Sequence, residues 1–262
     1  MSLAGSWSPD GWEWIVDLEE GPQGYAYVLT DGTLHTFDPL GAGDGLEPLE
    51  ADELVVPGSC WLCGGTDWAF DLEIEGNTAY VATWSGVHVF DLSDPESPVE
   101  VGYMATEGPI WGVESFHGIL YLAEVCGVTV VSAADPTAPV KTSRVALGAP
   151  VLDLALDADG WRLMALTPGS LRRLDLGRNP FSPTQGASLP IAGLALPEME
   201  VENGWTYLSG LWTATVFDEG GDGLSPGGPH DLRAWVDGAI VGEEVAQRVK
   251  WLSNAYEVWE AE

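Results

Sequence analysis

Along most of the chain, apolar and polar positions alternate in short runs separated by small or turn-forming residues. A two-residue period sends successive side chains to opposite faces, which marks β-strands and not helices. The stretch from Gly76 to Tyr103 shows this best. Ala79 to Thr83 forms one run, Trp84-Ser85-Gly86 a tight turn, Val87 to Leu92 a second run and Val99 to Tyr103 a third. Ser93-Asp94-Pro95-Glu96-Ser97-Pro98 turns the chain between the last two, with side chains that close turns and prolines that cannot donate to a ladder. The preceding Asp71-Leu72-Glu73-Ile74 supplies a fourth run, so four antiparallel strands occupy roughly 40 residues.

The unit recurs. From Gly118 the chain repeats the alternation, the small-residue turn and the Asp-Pro-x-x-Pro sequence, with Tyr121 in the place of Tyr80. Weaker copies carry anchors at Tyr27, Leu163 and Tyr207. A four-stranded unit repeating at about 40–45 residues is the signature of a propeller blade. The expected fold is therefore all-β: a single β-propeller spanning 1–262, built of four-stranded antiparallel blades. Six blades are expected, with five or seven as alternatives. A long insertion is expected at about 40–64, within or after the first blade. A last blade at about 230–262 would close the ring against the N-terminal strands and leave no sheet edge bare.

The best two units resemble LVIVD repeats, a propeller-forming family of bacterial and archaeal surface proteins. The residues carrying the resemblance are Ala79-Tyr80-Val81-Ala82, Gly86 to Pro95, and Pro98, with their counterparts from Leu120 to Pro139. The resemblance implies a propeller in an extracytoplasmic setting (periplasmic, cell-surface or secreted). It brings no agreed activity and no catalytic residues, and fold does not fix function.

Composition narrows the partners. Of 262 residues 45% are hydrophobic and 13 are Trp, which excludes a disordered chain. With 41 Asp and Glu against 9 Lys and Arg, the formal net charge is −32. Such a surface repels nucleic acid and anionic lipid. No apolar run approaches the ~18 residues of a membrane span, and Met1 to Gly5 lacks the basic start and apolar core of a signal peptide. A monomer binding a protein or glycan is the expected state.

Propeller geometry puts the loop entering each inner strand on the same face as the hairpin between the second and third strands. Those loops carry Trp61, Trp68, Trp84, Trp111 and Trp212, whose flat rings and polar N–H groups suit sugar rings or aromatic ligands. The inner strands carry Asp71, Glu73, Glu114, Asp153, Glu198 and Glu200, a ring of carboxylates with the oxygen chemistry that Ca²⁺ or Mg²⁺ prefers. The alternative for this ring is a hydrated acidic channel, or carboxylates paired with backbone N–H groups at blade junctions. No other cofactor is expected. Cys60 and Cys63 form a CxxC outside any strand-to-helix context, and a disulfide either between them or with Cys126 is expected. His35 and His88 occupy equivalent strand positions and read as structural or surface residues of the repeat. No nucleotide loop, serine elbow or HExxH is present, so the expectation is a non-catalytic binding or interaction module. The alternative is a glycosidase-like hydrolase using channel carboxylates held about 5–10 Å apart, with or without a metal.

Overall fold

The computed structural model describes residues 6–9, 11, 13–38, 47–57, 65–157, 161–191 and 199 with their side chains, and further strands within 2–5 and 198–260 as backbone. Its strands gather into two compact units, 1–107 with 232–262, and 108–231. Each unit is a set of four-stranded antiparallel sheets.

In the first unit, β1 (Ser2–Trp7) lies beside the last strand of the chain. The next sheet runs β2 (Ile15–Glu20), β3 (Ala26–Thr30), β4 (Thr33–Phe37) and β5 (Glu50–Glu53) in order. The sheet after it runs β6 (Ala69–Glu75), β7 (Thr78–Thr83), β8 (Gly86–Asp91) and β9 (Val99–Ala105). Sequence neighbours are thus hydrogen-bonded neighbours, the up-and-down order expected of a propeller blade. Alternation in the sequence becomes packing: Tyr27, Leu29, Leu34 and Leu54 on one side meet Leu72, Val81, Phe90 and Leu92 on the other.

The second unit repeats this. One sheet comprises β10 (Val113–Phe116), β11 (Ile119–Glu124), β12 (Gly127–Ser132) and β13 (Val140–Ala146). The next comprises β14 (Asp153–Leu156), β15 (Arg162–Thr167), β16 (Ser170–Asp175) and β17 (Thr184–Pro190). Tyr121, Val128 and Val130 pack with Leu154, Leu163 and Leu174 between these two sheets. At backbone level a third sheet follows: β18 (Glu198–Glu202), β19 (Trp205–Gly210), β20 (Thr213–Asp218) and β21 (Ser225–Pro226). Finally β22 (Ala239–Val241), β23 (Val245–Lys250) and β24 (Ala255–Glu260) return to the first unit and pair in series with β1. No described helix is long and apolar enough to cross a membrane.

Two expectations need correction. The stretch 40–64 is not insertion throughout, because Glu50–Glu53 is β5, the outer strand of its sheet. Its acidic Glu-Ala-Asp-Glu has no apolar alternation, which hid the strand. The fourth anchor is Met164, not Leu163. Thr30, Thr83 and Thr167 each close the second hairpin by donating Oγ1 to the carbonyl three residues on. Counting back from them puts Met164 in register with Tyr27 and Tyr80. A one-residue slip sends a side chain to the opposite face. Leu163 and Met164 are both fully buried and apolar, so hydrophobicity could not choose between them.

Candidate functional site

The site is built on the turn between β7 and β8. Thr83 Oγ1 donates to the Gly86 carbonyl (2.9 Å) and accepts the Gly86 N–H (3.1 Å), which closes a turn of Trp84 and Ser85. Gly86 is required there: a Cβ would come within 2.2 Å of the Met104 carbonyl oxygen on β9. The Trp84 N–H donates to the carbonyl of Trp68, 2.8 Å away in the loop entering β6. Trp68 and Trp84 are thereby held together at one end of the sheet, 63% and 55% exposed. Phe70 lies beside the Trp84 indole, its ring tilted by 43° with centroids 6.3 Å apart.

Beneath this pair lies a buried polar network. Asp67, only 2% exposed, shares the single Thr83 Oγ1 proton with the Gly86 carbonyl (2.8 Å to Asp67), and accepts from the Ser85 N–H (3.1 Å) and from the Ser85 hydroxyl. Its Oδ2 also meets His88 Nε2 at 3.2 Å, while His88 Nδ1 meets Glu100 Oε1 at 2.9 Å. Carboxylates only accept and a neutral imidazole carries one N–H, so both contacts are filled by an imidazolium or by a proton shared with a carboxyl group. Tyr103 packs its ring 4.8 Å from His88, and its single hydroxyl proton faces two acceptors, Ser85 Oγ at 2.7 Å and the Ser85 carbonyl at 3.0 Å. Burial pushes the Tyr103 phenol up, its bond to Ser85 works against this, and the charges of Asp67 and Glu100 add to the rise. Asp67 therefore staples the segment carrying Trp68 to the turn carrying Trp84.

The preceding sheet holds a looser copy. His35 on β4 stands where His88 stands on β8, and Glu13 Oε2 lies 3.6 Å from its Nε2. Burial lowers the His35 pKa from 6.5 to about 4. Its ring lies 4.8 Å from that of Trp7. Trp14, which follows Glu13 as Trp68 follows Asp67, is 61% exposed. Backbone hydrogen bonds join the three indole-bearing residues: Asp31 N–H to Trp14 C=O, Ala69 N–H to Asp31 C=O, and Trp84 N–H to Trp68 C=O.

The remaining candidates fall elsewhere. Trp111 is half-buried and packs against the core of the second unit. Trp61 and Trp212 lie outside the described residues, as do Cys60 and Cys63, while Cys126 stands exposed in the turn between β11 and β12. Asp71 and Glu73 are half-buried on β6 and Glu114 on β10. Asp153 works at a sheet junction: Oδ1 accepts the Leu154 N–H (2.7 Å) and Oδ2 the Met199 N–H (2.7 Å) of the following sheet. Asp17 does the same for Leu18 and Leu72. Glu198 and Glu200 are on β18, with side chains outside the described residues. Among the described residues, no three of His, Cys, Asp and Glu gather so as to hold a metal ion. Sequence reading missed Trp14, Asp67 and Glu100, and took His88 for a mere repeat position. The available signal was the acid–Trp pair, Glu13-Trp14 and Asp67-Trp68, one strand pair ahead of each histidine.

Residues 68–106 match the family model of the LVIVD repeat. No curated protein matches the chain in sequence. Among solved structures, a functionally unknown protein from Desulfotomaculum acetoxidans is similar at a TM-score of 0.64 and 11% identity, over 85% of this chain and 78% of that one. A protein provisionally named a 6-phosphogluconolactonase, from Bacteroides fragilis, is similar at 0.64 and 12%, over 94% and 80%. The β-propeller domain of Cps50 (Swd1) from Myceliophteria thermophila is similar at 0.54 and 10%, over 95% and 96%. At these identities the likeness concerns the fold alone. The chain is thus an all-β protein of β-propeller fold, and its residues 68–106 are an LVIVD repeat.

Proposed function

We propose that this protein is a non-catalytic binding module, and that its ligand seats on the exposed Trp68–Trp84 pair. The observation that carries this reading is the pairing itself. Two large indoles are held in water by a backbone hydrogen bond and by a buried carboxylate beneath them. Exposed Trp is unfavourable in isolation, and large rigid rings displayed together are what ligands use as anchors. The hydrolase alternative draws no support from Asp153, whose carboxylate oxygens are both engaged by backbone N–H groups. A monomeric, extracytoplasmic protein is part of the proposal, and for that setting the support is the LVIVD resemblance.

The test is tryptophan emission and calorimetry of the full chain against two probes, cellohexaose and an octa-arginine peptide. At least one should bind, and Trp68→Ala with Trp84→Ala should weaken it about tenfold or more, as loss of an aromatic anchor does. Unchanged affinity for both probes in that variant would overturn the reading.

A further inference from the structure

We infer that the ligand is a cationic polypeptide segment whose Arg or Lys side chains lie on the indoles of Trp14, Trp68 and Trp84; this rests on the binding reading above. The three rings are exposed, and backbone hydrogen bonds through Asp31 and Ala69 string their residues along one end of two successive sheets. Those sheets are neighbours, since the Leu72 N–H on β6 reaches Asp17 Oδ2 on β2 at 3.0 Å. Trp14 and Trp68 occupy equivalent places in them, so the surface offers the same group twice. A repeated site favours a polymer with repeated side chains over a single small cation.

Charge selects the sign of the ligand. None of the chain's 9 Lys and Arg falls within 1–107; the first along the sequence is Lys141. The rings are interleaved with acids at the same end: Glu13 precedes Trp14, Asp31 Oδ1 accepts the backbone N–H of Trp14 at 3.2 Å, and Glu53 Oε1 accepts from Thr66 at 3.2 Å, beside Asp67. The face of an indole is itself electron-rich and attracts guanidinium and ammonium groups. Aromatic faces and carboxylates both attract a cation and both repel an anion. A neutral sugar would use the rings and gain nothing from the charge.

Octa-arginine, octa-lysine, octa-glutamate and cellohexaose titrated into the full chain provide the test, with tryptophan emission as the readout. Both basic peptides should bind, octa-arginine more tightly because guanidinium stacks as well as attracts. The triple variant Trp14→Ala/Trp68→Ala/Trp84→Ala keeps the net charge, and should bind octa-arginine at least about tenfold more weakly, with partial recovery in the Trp→Phe series. If the triple variant fails to fold by circular dichroism, Trp84→Ala alone, in an exposed turn, carries the comparison by calorimetry. Equal binding of octa-arginine by variant and parent would overturn the inference, since charge alone would then explain it. Cellohexaose binding that the variant loses, with no such loss for the peptides, would overturn the cationic ligand and leave the binding module standing. No response of any probe to the substitutions would overturn both.

Discussion

The Tyr27 hydroxyl donates to the carbonyl oxygen of Pro95, 2.9 Å away and buried. Tyr27 lies on the second strand of one sheet, and Pro95 lies in the Asp-Pro turn that joins the outer strands of the next. The second unit repeats the link, with the Tyr121 hydroxyl donating to the Pro180 carbonyl at 3.1 Å. Burial pushes both phenols well above their ordinary value, so each remains a donor at any physiological pH. At these two anchors the repeat is not only a strand pattern: Tyr27 and Tyr121 each grip the turn of the sheet that follows.

Tyr27→Phe should lower stability by about 1–2 kcal/mol, because the buried Pro95 carbonyl loses its donor while the ring still fills the core. Urea midpoints of the single variants and of Tyr27→Phe/Tyr121→Phe check this. The two sites are independent if their effects add to within about 0.5 kcal/mol.

Much of this was legible in the chain. Alternation with the Trp84-Ser85-Gly86 and Asp94-Pro95 turns located the four strands of the best unit, and propeller geometry placed Trp68 and Trp84 at one end of it. Three things were not legible, each for a physical reason. Which indoles face water depends on packing, so Trp111, half-buried against the core, looked no different from Trp68. A buried Asp or His is costly unless paired, and the partners of Asp67 and His88 come from four separate stretches of sequence. The acidic β5 breaks the two-residue pattern, since on an outer strand few side chains need to be apolar.

Asp153 was expected in a metal-binding ring, and its geometry predicts a different phenotype. Asp153→Ala should cost about 2–4 kcal/mol, since two N–H groups lose a charged acceptor. The loss in thermal midpoint should be the same with millimolar Ca²⁺ as with EDTA. A Ca²⁺-dependent stabilisation of the parent that the variant lacks would restore the ring as a cation site.

His35 makes the first unit sensitive to mild acid. Its folded pKa is lowered to about 4 by burial, so between pH 6.5 and 4 the unfolded chain binds a proton that the folded chain refuses. The stability this group contributes is complete above about 6.5, falls as pH drops towards 4, and is level below. The full effect of such a shift is about 3 kcal/mol. Carboxylates titrate in the same range, so the comparison is between parent and His35→Gln. Their difference in urea midpoint should change between pH 7 and pH 4.5, the parent losing more.

Asp52 should behave in the opposite sense. Burial raises its pKa, and the neighbouring charges of Glu50 and Glu100 raise it further, so the ionised carboxylate weakens the fold at neutral pH. Asp52→Asn should raise the urea midpoint at pH 7, and the gain should shrink as the pH falls into the carboxylate range and the parent's own Asp52 becomes neutral.

Asp67 ties the loop entering β6 to the turn between β7 and β8. Four donors from Thr83, Ser85 and His88 converge on its two oxygens inside the protein. Asp67→Ala leaves them unmet and His88 with Glu100 as its remaining carboxylate contact, a loss of about 3–5 kcal/mol by analogy with other broken buried pairs. Glu100→Gln provides the contrast. That side chain is 37% exposed and water can replace what it gives, so its loss should cost about 1 kcal/mol or less. The two variants also separate structure from display. Asp67 fixes the turn carrying Trp84, so Asp67→Asn, which keeps the shape but presents an NH₂ to one set of donors, should shift tryptophan emission and weaken octa-arginine binding even where the protein remains folded. Glu100→Gln should do neither. If Asp67→Asn loses stability yet binds the peptide as the parent does, the carboxylate is a structural staple and not the support of the binding surface.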